Sequence, residues 1–204
     1  MVMKVLVPIA DDSEDIETAC ITDVLARAGA EVTTASVMDG RLQVKLARGL
    51  KVTADCAIAD CVSSKWDAIC CPGGMPGAEH LRDSAPLKAL LEAQATGGVT
   101  AAVCASPAVV LATHGLLKDG KGTCYPAPKF KEAVGAGWAD SKVVVALGPL
   151  TDDKNTFKQW DLKLINALNY VHPGYGKALE KLKQGMTGEK TSTTPAQVLV
   201  QTLR

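Results

Sequence analysis

Short apolar, β-branched runs alternate with stretches of helical periodicity along the 204-residue chain. The runs Lys4–Ile9, Glu31–Val37, Asp67–Cys71, Val99–Cys104 and Lys142–Leu147 read as buried strands. Continuous apolar runs, rather than strict alternation, mark strands covered on both faces. Between them Asp15–Ala28, Ala85–Ala95 and Pro107–Leu116 read as helices, while Leu42–Ala54 alternates and predicts a hairpin or edge strands away from the main sheet. A further helix is expected from Asn155 to about Tyr170, a break at His172-Pro173-Gly174, and a short helix over Gly176–Gln184. This order of elements predicts an α/β fold, doubly wound around a mostly parallel sheet. No internal repeat interrupts it. Residues 1–185 are expected to form one domain. Met186–Arg204, rich in Thr, Gly and Ser, reads as a disordered C-terminal tail or extension in which Ala196–Leu203 is the segment able to dock.

Composition narrows the function. A hydrophobic content of 47% over this length supports one domain with a substantial core. Lys and Arg total 22, as do Asp and Glu, so the basic field of a nucleic-acid binder is missing and no stable nucleic-acid complex is expected. No apolar run approaches the ~20 residues of a membrane span, and MVMKVLVPIA passes directly into charged residues without a signal-peptide pattern. Seven cysteines, two of them adjacent at Cys70 and Cys71, fit reduced thiols better than a disulfide framework. The chain is therefore expected to be soluble and cytoplasmic. No Cys-x-x-Cys pair occurs and His80, His114 and His172 are scattered, so no metal site is expected.

In doubly wound sheets, ligands bind beyond the carboxyl ends of the strands. Three such ends carry chemistry here. Cys104 closes the apolar run VTAAVC and is followed by Ala105, Ser106 and Pro107, a strand-to-helix elbow. A helix N-terminus behind the thiol is expected to favour the thiolate and make Cys104 a nucleophile; the bland reading is a buried small hydrophobe. For a helix starting near Asp12 or Ser13, Glu17 shares a stripe with Cys20, Ile21, Val24 and Ala28. A carboxyl group on that apolar face, near Asp11, Asp12, Glu14 and Asp15, is expected to be buried and to favour its neutral form, ready to pass a proton beside Cys104. Asp11 with Glu14 resembles a capping box, and most of these acidic residues read as serving the helix N-terminus. The third end is Pro72-Gly73-Gly74-Met75-Pro76-Gly77, which lets backbone N–H groups approach a ligand. It lacks both G-x-G-x-x-G and a Walker lysine, so an oxyanion pocket for a small carbonyl fits better than a phosphate cradle.

Glu17 in A-D-D-S-E-D-I-E-T, the glycine loop at residues 72–74 and the elbow A-A-V-C-A-S-P at 101–107 together resemble the ThiJ/PfpI superfamily, and within it the DJ-1 branch. The likeness runs from the first strand to about residue 150, through I-T-D-V-L-A-R-A-G-A at 21–30 and a basic Ala47-Arg48 after the hairpin. The resemblance implies a flavodoxin-like three-layer αβα sandwich and a homodimer. It also implies an oxidisable nucleophile at Cys104, a protonated partner at Glu17, and N–H groups of Gly74 and Ala105 facing the bound oxyanion. Arg48 would reach a neighbouring subunit's active-site edge. The implied activity is that of a cofactor-independent glyoxalase or deglycase acting on methylglyoxal, glyoxal or their early protein and nucleotide adducts.

Several positions depart from the family pattern. Ala105 stands where superfamily proteases carry a histidine, which removes the base of a peptidase. Tyr125, in Gly122-Thr123-Cys124-Tyr125-Pro126, occupies the place of a pocket histidine and offers a hydrogen bond rather than a base. Ser106 replaces a usual glycine, and the late Gly-Pro-Gly-Thr motif survives as Gly148-Pro149-Leu150-Thr151. Two functions share these residues: the enzyme, and a redox-sensing or chaperone-like dimer whose Cys104 is oxidised to sulfinate without turnover. The other cysteines read as core or strand residues, with Cys124 alone expected near the pocket.

Overall fold

The computed structural model describes residues 2–95, 97–117 and 122–140. The strand at Lys142–Leu147, both later helices, the Gly148–Thr151 motif and the tail expected from the sequence lie outside these residues. The elements are β1 (Lys4–Ile9), α1 (Asp15–Arg27), β2 (Glu31–Ser36), β3 (Gln43–Lys45), β4 (Lys51–Thr53), β5 (Cys56–Ala57), a 3-10 turn (Ile58–Cys61), β6 (Ala68–Cys71), α2 (Gly77–Asp83), α3 (Ala85–Gln94), β7 (Val99–Ala102), a π-helical segment (Pro107–Ala112) and α4 (Pro128–Val134). Five strands form one parallel sheet in the order β5-β2-β1-β6-β7, the doubly wound, flavodoxin-like arrangement.

Successive residues of a strand point to opposite faces, and β1 uses both. Leu6 and Ala10 join Ile69, Cys71, Leu81, Leu87, Leu91 and Val110 in the layer under α2, α3 and the π-helical segment. Val5, Val7 and Ile9 join Ala68, Cys70, Val44 and Leu46 in the other layer, against Ile21 and Leu25 of α1. The adjacent Cys70 and Cys71 therefore face opposite layers. Among the described residues, no helix is long and apolar enough to cross a membrane.

The hairpin β3-β4 forms its own antiparallel pair, as its alternation predicts. Acidic side chains from the start of α1 hold it down. Asp11 accepts from the Lys45 N–H at 2.9 Å and pairs with Arg41 at 2.6 Å, while Asp15 accepts from the backbone N–H groups of Arg48 and Leu50. The capping box expected from Asp11 and Glu14 is thus not what forms. Glu14 alone caps α1, taking the Glu17 N–H at 2.8 Å, and Asp11 serves the hairpin.

The hydrogen bond from Arg41, helped by the Lys45 N–H, holds Asp11 below the ordinary carboxylate value of 3.8. A depressed folded-state value means that the clamp's stabilisation is present above the ordinary range and is lost as pH falls through the lowered one. An NMR titration is expected to find Asp11 below 3.8 and to move it back toward 3.8 in Arg41→Ala. A wild-type value at or above 3.8 would contradict the clamp.

Candidate functional site

β1 lies between β2 and β6, so successive connections leave it in opposite directions and a crevice opens at the carboxyl ends of β1 and β6. Three segments meet there: the Asp11–Glu14 turn leading into α1, the Pro72–Gly77 loop after β6, and the Val103–Ser106 elbow after β7.

The first segment sets Glu17. Asp12 has φ of 60°, a left-handed conformation that keeps it out of the helix. The helix begins at Asp15, and Glu17 falls in its first turn. Cys20 of the expected apolar stripe is exposed, and Glu17 itself is half-buried. Its partner is backbone: the Gly73 N–H donates to Glu17 Oε2 at 2.7 Å, and the Gly73 carbonyl accepts from the Glu14 N–H at 3.0 Å. A methyl group on Gly73 would sit 2.6 Å from Cys104 Cβ and 2.7 Å from Glu17 Oε2, so only glycine fits between the two side chains. Gly74, with φ of 96°, and Gly77 bring the loop backbone against Asp12–Glu14.

The elbow sets Cys104. β7 ends at Ala102, two residues before the cysteine, and Cys104 has φ of 56°. A non-glycine residue held there costs about 1–3 kcal/mol, which the surroundings must offset. The Tyr125 N–H donates to the Cys104 carbonyl at 2.7 Å, the Ser106 N–H to the Val103 carbonyl at 3.0 Å, and the Ser106 hydroxyl to the Pro72 carbonyl at 2.5 Å. Ser106 is completely buried, and its hydroxyl ties the elbow to the glycine loop. The segment that follows is π-helical, not the α-helix expected over Pro107–Leu116.

The Cys104 sulfur faces the Glu17 carboxyl group and the N–H groups of Gly74 and Ala105. Burial, then the charge of Glu17 and its hydrogen bond, push the thiol up from its ordinary value; the two N–H groups pull the other way without prevailing. This corrects the expectation that a helix N-terminus alone would favour the thiolate. With a carboxylate opposite, thiolate formation places two negative charges together, which is why the thiol is raised.

Tyr125 is anchored by its backbone to Cys104 while its side chain is 56% exposed, its ring edge against Phe130. Arg48 lies in the turn between β3 and β4 rather than after the hairpin, exposed, with its N–H on Asp15. The Cys124 thiol interacts with Trp138 and Lys131 instead of joining the Cys104 pair. His114 bonds the Arg82 carbonyl at 3.0 Å, a structural tie. Gly73 and Ser106 were not singled out by sequence as the residues that orient the pair. The glycine loop was the available signal for the first, and the departure from glycine at 106 for the second. An open apolar groove of about 290 Å³, lined by residues of α1, β6 and β7, includes neither Glu17 nor Cys104.

Fold and site together define a doubly wound α/β protein with a cysteine elbow at the switch point of its sheet. The chain belongs to the DJ-1/PfpI family, whose model matches residues 3–167. It is 40% identical over 155 residues to protein DJ-1 homolog B of Arabidopsis thaliana, a match covering 72% of this chain but 35% of that protein's length. It is 33% identical over 161 residues to the Caenorhabditis elegans protein named glutathione-independent glyoxalase DJR-1.2, covering 78% of this chain and 84% of the relative. The solved structure of oxidized Toxoplasma gondii DJ-1 superposes with a TM-score of 0.68 at 37% identity, over 93% of this chain and 100% of that one.

The geometry makes thiol reactivity selective. Burial pushes Cys70 up to about 11, Cys71 higher still, and Cys61 up to about 12. Brief alkylation of the reduced native protein at neutral pH, read by peptide mass spectrometry, is expected to modify Cys104 and the exposed Cys20 and to spare Cys61, Cys70 and Cys71. Gly73→Ala is expected to change the alkylation rate of Cys104 at least severalfold while leaving that of Cys20 as it was. An unchanged Cys104 rate would show that the glycine does not hold the pair.

Proposed function

We propose that the protein is a cofactor-independent glyoxalase that converts methylglyoxal or glyoxal to the corresponding hydroxy acid, and a deglycase toward early protein and nucleotide adducts of the same dicarbonyls. The observation that carries this reading is the Glu17 carboxyl group held by the Gly73 N–H opposite the Cys104 sulfur. The name of the worm relative supports the same reaction class.

The Cys104 thiol passes its proton to Glu17 as the sulfur adds to the aldehyde carbon. Glu17 protonates the resulting oxyanion while the N–H groups of Gly74 and Ala105 stabilise it, giving a hemithioacetal. The carboxylate left behind removes the proton from that carbon, forming an enediolate, and returns it to the adjacent carbon that was the ketone, while the hydroxyl proton passes from the first oxygen to the second. The product is a thioester of the hydroxy acid. Water cleaves it, releasing the acid and restoring the thiol, so the net reaction adds one water and requires no outside oxidant. The Tyr125 hydroxyl, exposed at the mouth, donates a hydrogen bond to the substrate's remaining oxygen. A second copy of the chain completes the site, with its Arg48 at the edge, in a reducing cytoplasm.

Incubation with methylglyoxal is expected to yield lactate. Cys104→Ser abolishes turnover, and Glu17→Gln lowers it by about 10²–10⁴-fold, the usual range for losing a general acid-base group. Circular dichroism checks that both variants stay folded. Full activity in either folded variant would sink the mechanism. The native mass should be twice 21.3 kDa; a monomer that turns over methylglyoxal would remove Arg48 from the site.

A second reading rests on the same two N–H groups, which suit the oxygens of a sulfinate on Cys104, and on the oxidized state of the T. gondii relative. In this reading the protein is a redox sensor or chaperone-like dimer. Selective gain of about 32 Da at Cys104 in dilute peroxide, with no lactate formed, decides for the sensor.

A further inference from the structure

Cys56 and Cys61 meet at the edge of the sheet, away from the site described above. The 3-10 turn Ile58–Cys61 folds the chain back on β5 and brings the two sulfurs within 3.4 Å. Cys61 is 2% exposed and packed into the core layer of Leu6 and Ile69, whereas Cys56 is half-buried at its margin. We propose that Cys56 and Cys61 form a second oxidation site, a dithiol that closes to a disulfide under peroxide and is reopened by a small thiol.

Three observations carry this. First, a disulfide needs sulfurs ~2.05 Å apart, so closure from 3.4 Å takes a movement of little more than ~1 Å. Second, the backbone can supply it: β5 is held to β2 by two register pairs, Ala35 with Cys56 and Ser36 with Ala57, and no described strand lies beyond it. Third, no strong bond holds either thiol back. Apart from each other, Cys56 touches the Thr34 carbonyl at 3.9 Å and Cys61 the Ala57 carbonyl at 3.7 Å, both long contacts. The neighbouring pair Cys70 and Cys71 cannot do the same, since they point into opposite layers.

The roles follow from exposure. Cys56 meets the oxidant. Its sulfur attacks one oxygen of hydrogen peroxide, the O–O bond breaks, and the departing hydroxide takes the thiol proton as water, leaving a sulfenic acid. The Cys61 sulfur then attacks the Cys56 sulfur. The S–S bond forms, the S–O bond breaks, and the second hydroxide leaves as water with the Cys61 proton. Two electrons pass from two thiols to one peroxide. Burial pushes Cys61 up to about 12, which makes it a poor first nucleophile, and its position 3.4 Å from the Cys56 sulfur is what lets it take the second step. Cys104 faces a carboxyl group where Cys56 faces a thiol, so the two sites part on oxidation: one stops at an oxyacid, the other at a reversible cross-link.

Trypsin isolates the pair, because Val52–Lys65 lies between Lys51 and Lys65 and contains both cysteines. Native protein is treated with dilute hydrogen peroxide, denatured in iodoacetamide and digested. The peptide is expected about 2 Da lighter than its reduced form and free of alkylation, in wild type and in Cys104→Ser alike, and dithiothreitol before alkylation restores two carbamidomethyl groups. In Cys61→Ser, Cys56 should be trapped as a dimedone adduct. Loss of the cross-link in Cys104→Ser would make it a product of Cys104 chemistry and overturn the proposal. Retention of two alkylatable thiols in this peptide, while Cys104 gains oxygen, would overturn it as well. The wild-type arm requires no substitution and no turnover, so it stands apart from the test of the glyoxalase.

Discussion

Two loop backbones approach more closely than side chains would allow, and the rest of the site depends on that approach. The Asp12–Glu14 turn and the Gly73–Gly77 loop abut at Gly74 and Gly77, with the Glu14 N–H on the Gly73 carbonyl. Because β1 and β6 are sheet neighbours, their following loops start side by side. Glycine then removes the Cβ atoms that would separate them. The result fixes Glu17 against the Gly73 N–H and leaves room for Cys104 beside it. Asp15, also in this turn of α1, fastens the β3-β4 turn from the opposite side.

Within that frame the thiol and the carboxyl group oppose one another electrostatically. Burial and the facing carboxylate disfavour a bare thiolate, and the N–H groups of Gly74 and Ala105 offset part of the cost. The carboxyl group lies close enough to the sulfur to exchange a proton with it. This suits a reaction in which a proton is donated, withdrawn and donated again at neighbouring atoms. The left-handed backbone of Cys104 belongs to the same arrangement. It turns the sulfur toward Glu17, and the hydrogen bonds from Tyr125 and Ser106 hold the elbow in that shape.

Much of this was legible in sequence. β1 was read at its observed bounds, and β2, β6 and β7 within two residues at either end, since strands facing a core on both sides leave unbroken apolar runs. Glu17, Cys104 and the glycine loop stood out because polar or reactive residues follow those runs. The errors share a cause: they concern local geometry set by distant partners. Asp11 was read as a cap because Arg41 and the Lys45 N–H are remote in sequence. β5, α2 and α4 are too short for periodicity to register. The adjacency of Cys56 and Cys61 required the intervening 3-10 turn, and their five-residue spacing alone carries no signal.

The brevity of β5 bears on how the molecule behaves in a crowded solution. A long, flat rim would present a ladder of free amides and carbonyls on which another chain could add a strand. Here the rim is two residues long, and beyond it Asp55 takes the backbone N–H and hydroxyl of Thr34, capping β2 with a carboxylate. An incoming strand would meet a closed hydrogen-bond position and a negative charge. The sheet is thereby protected along this side from edge-to-edge growth, the first step toward insoluble aggregates.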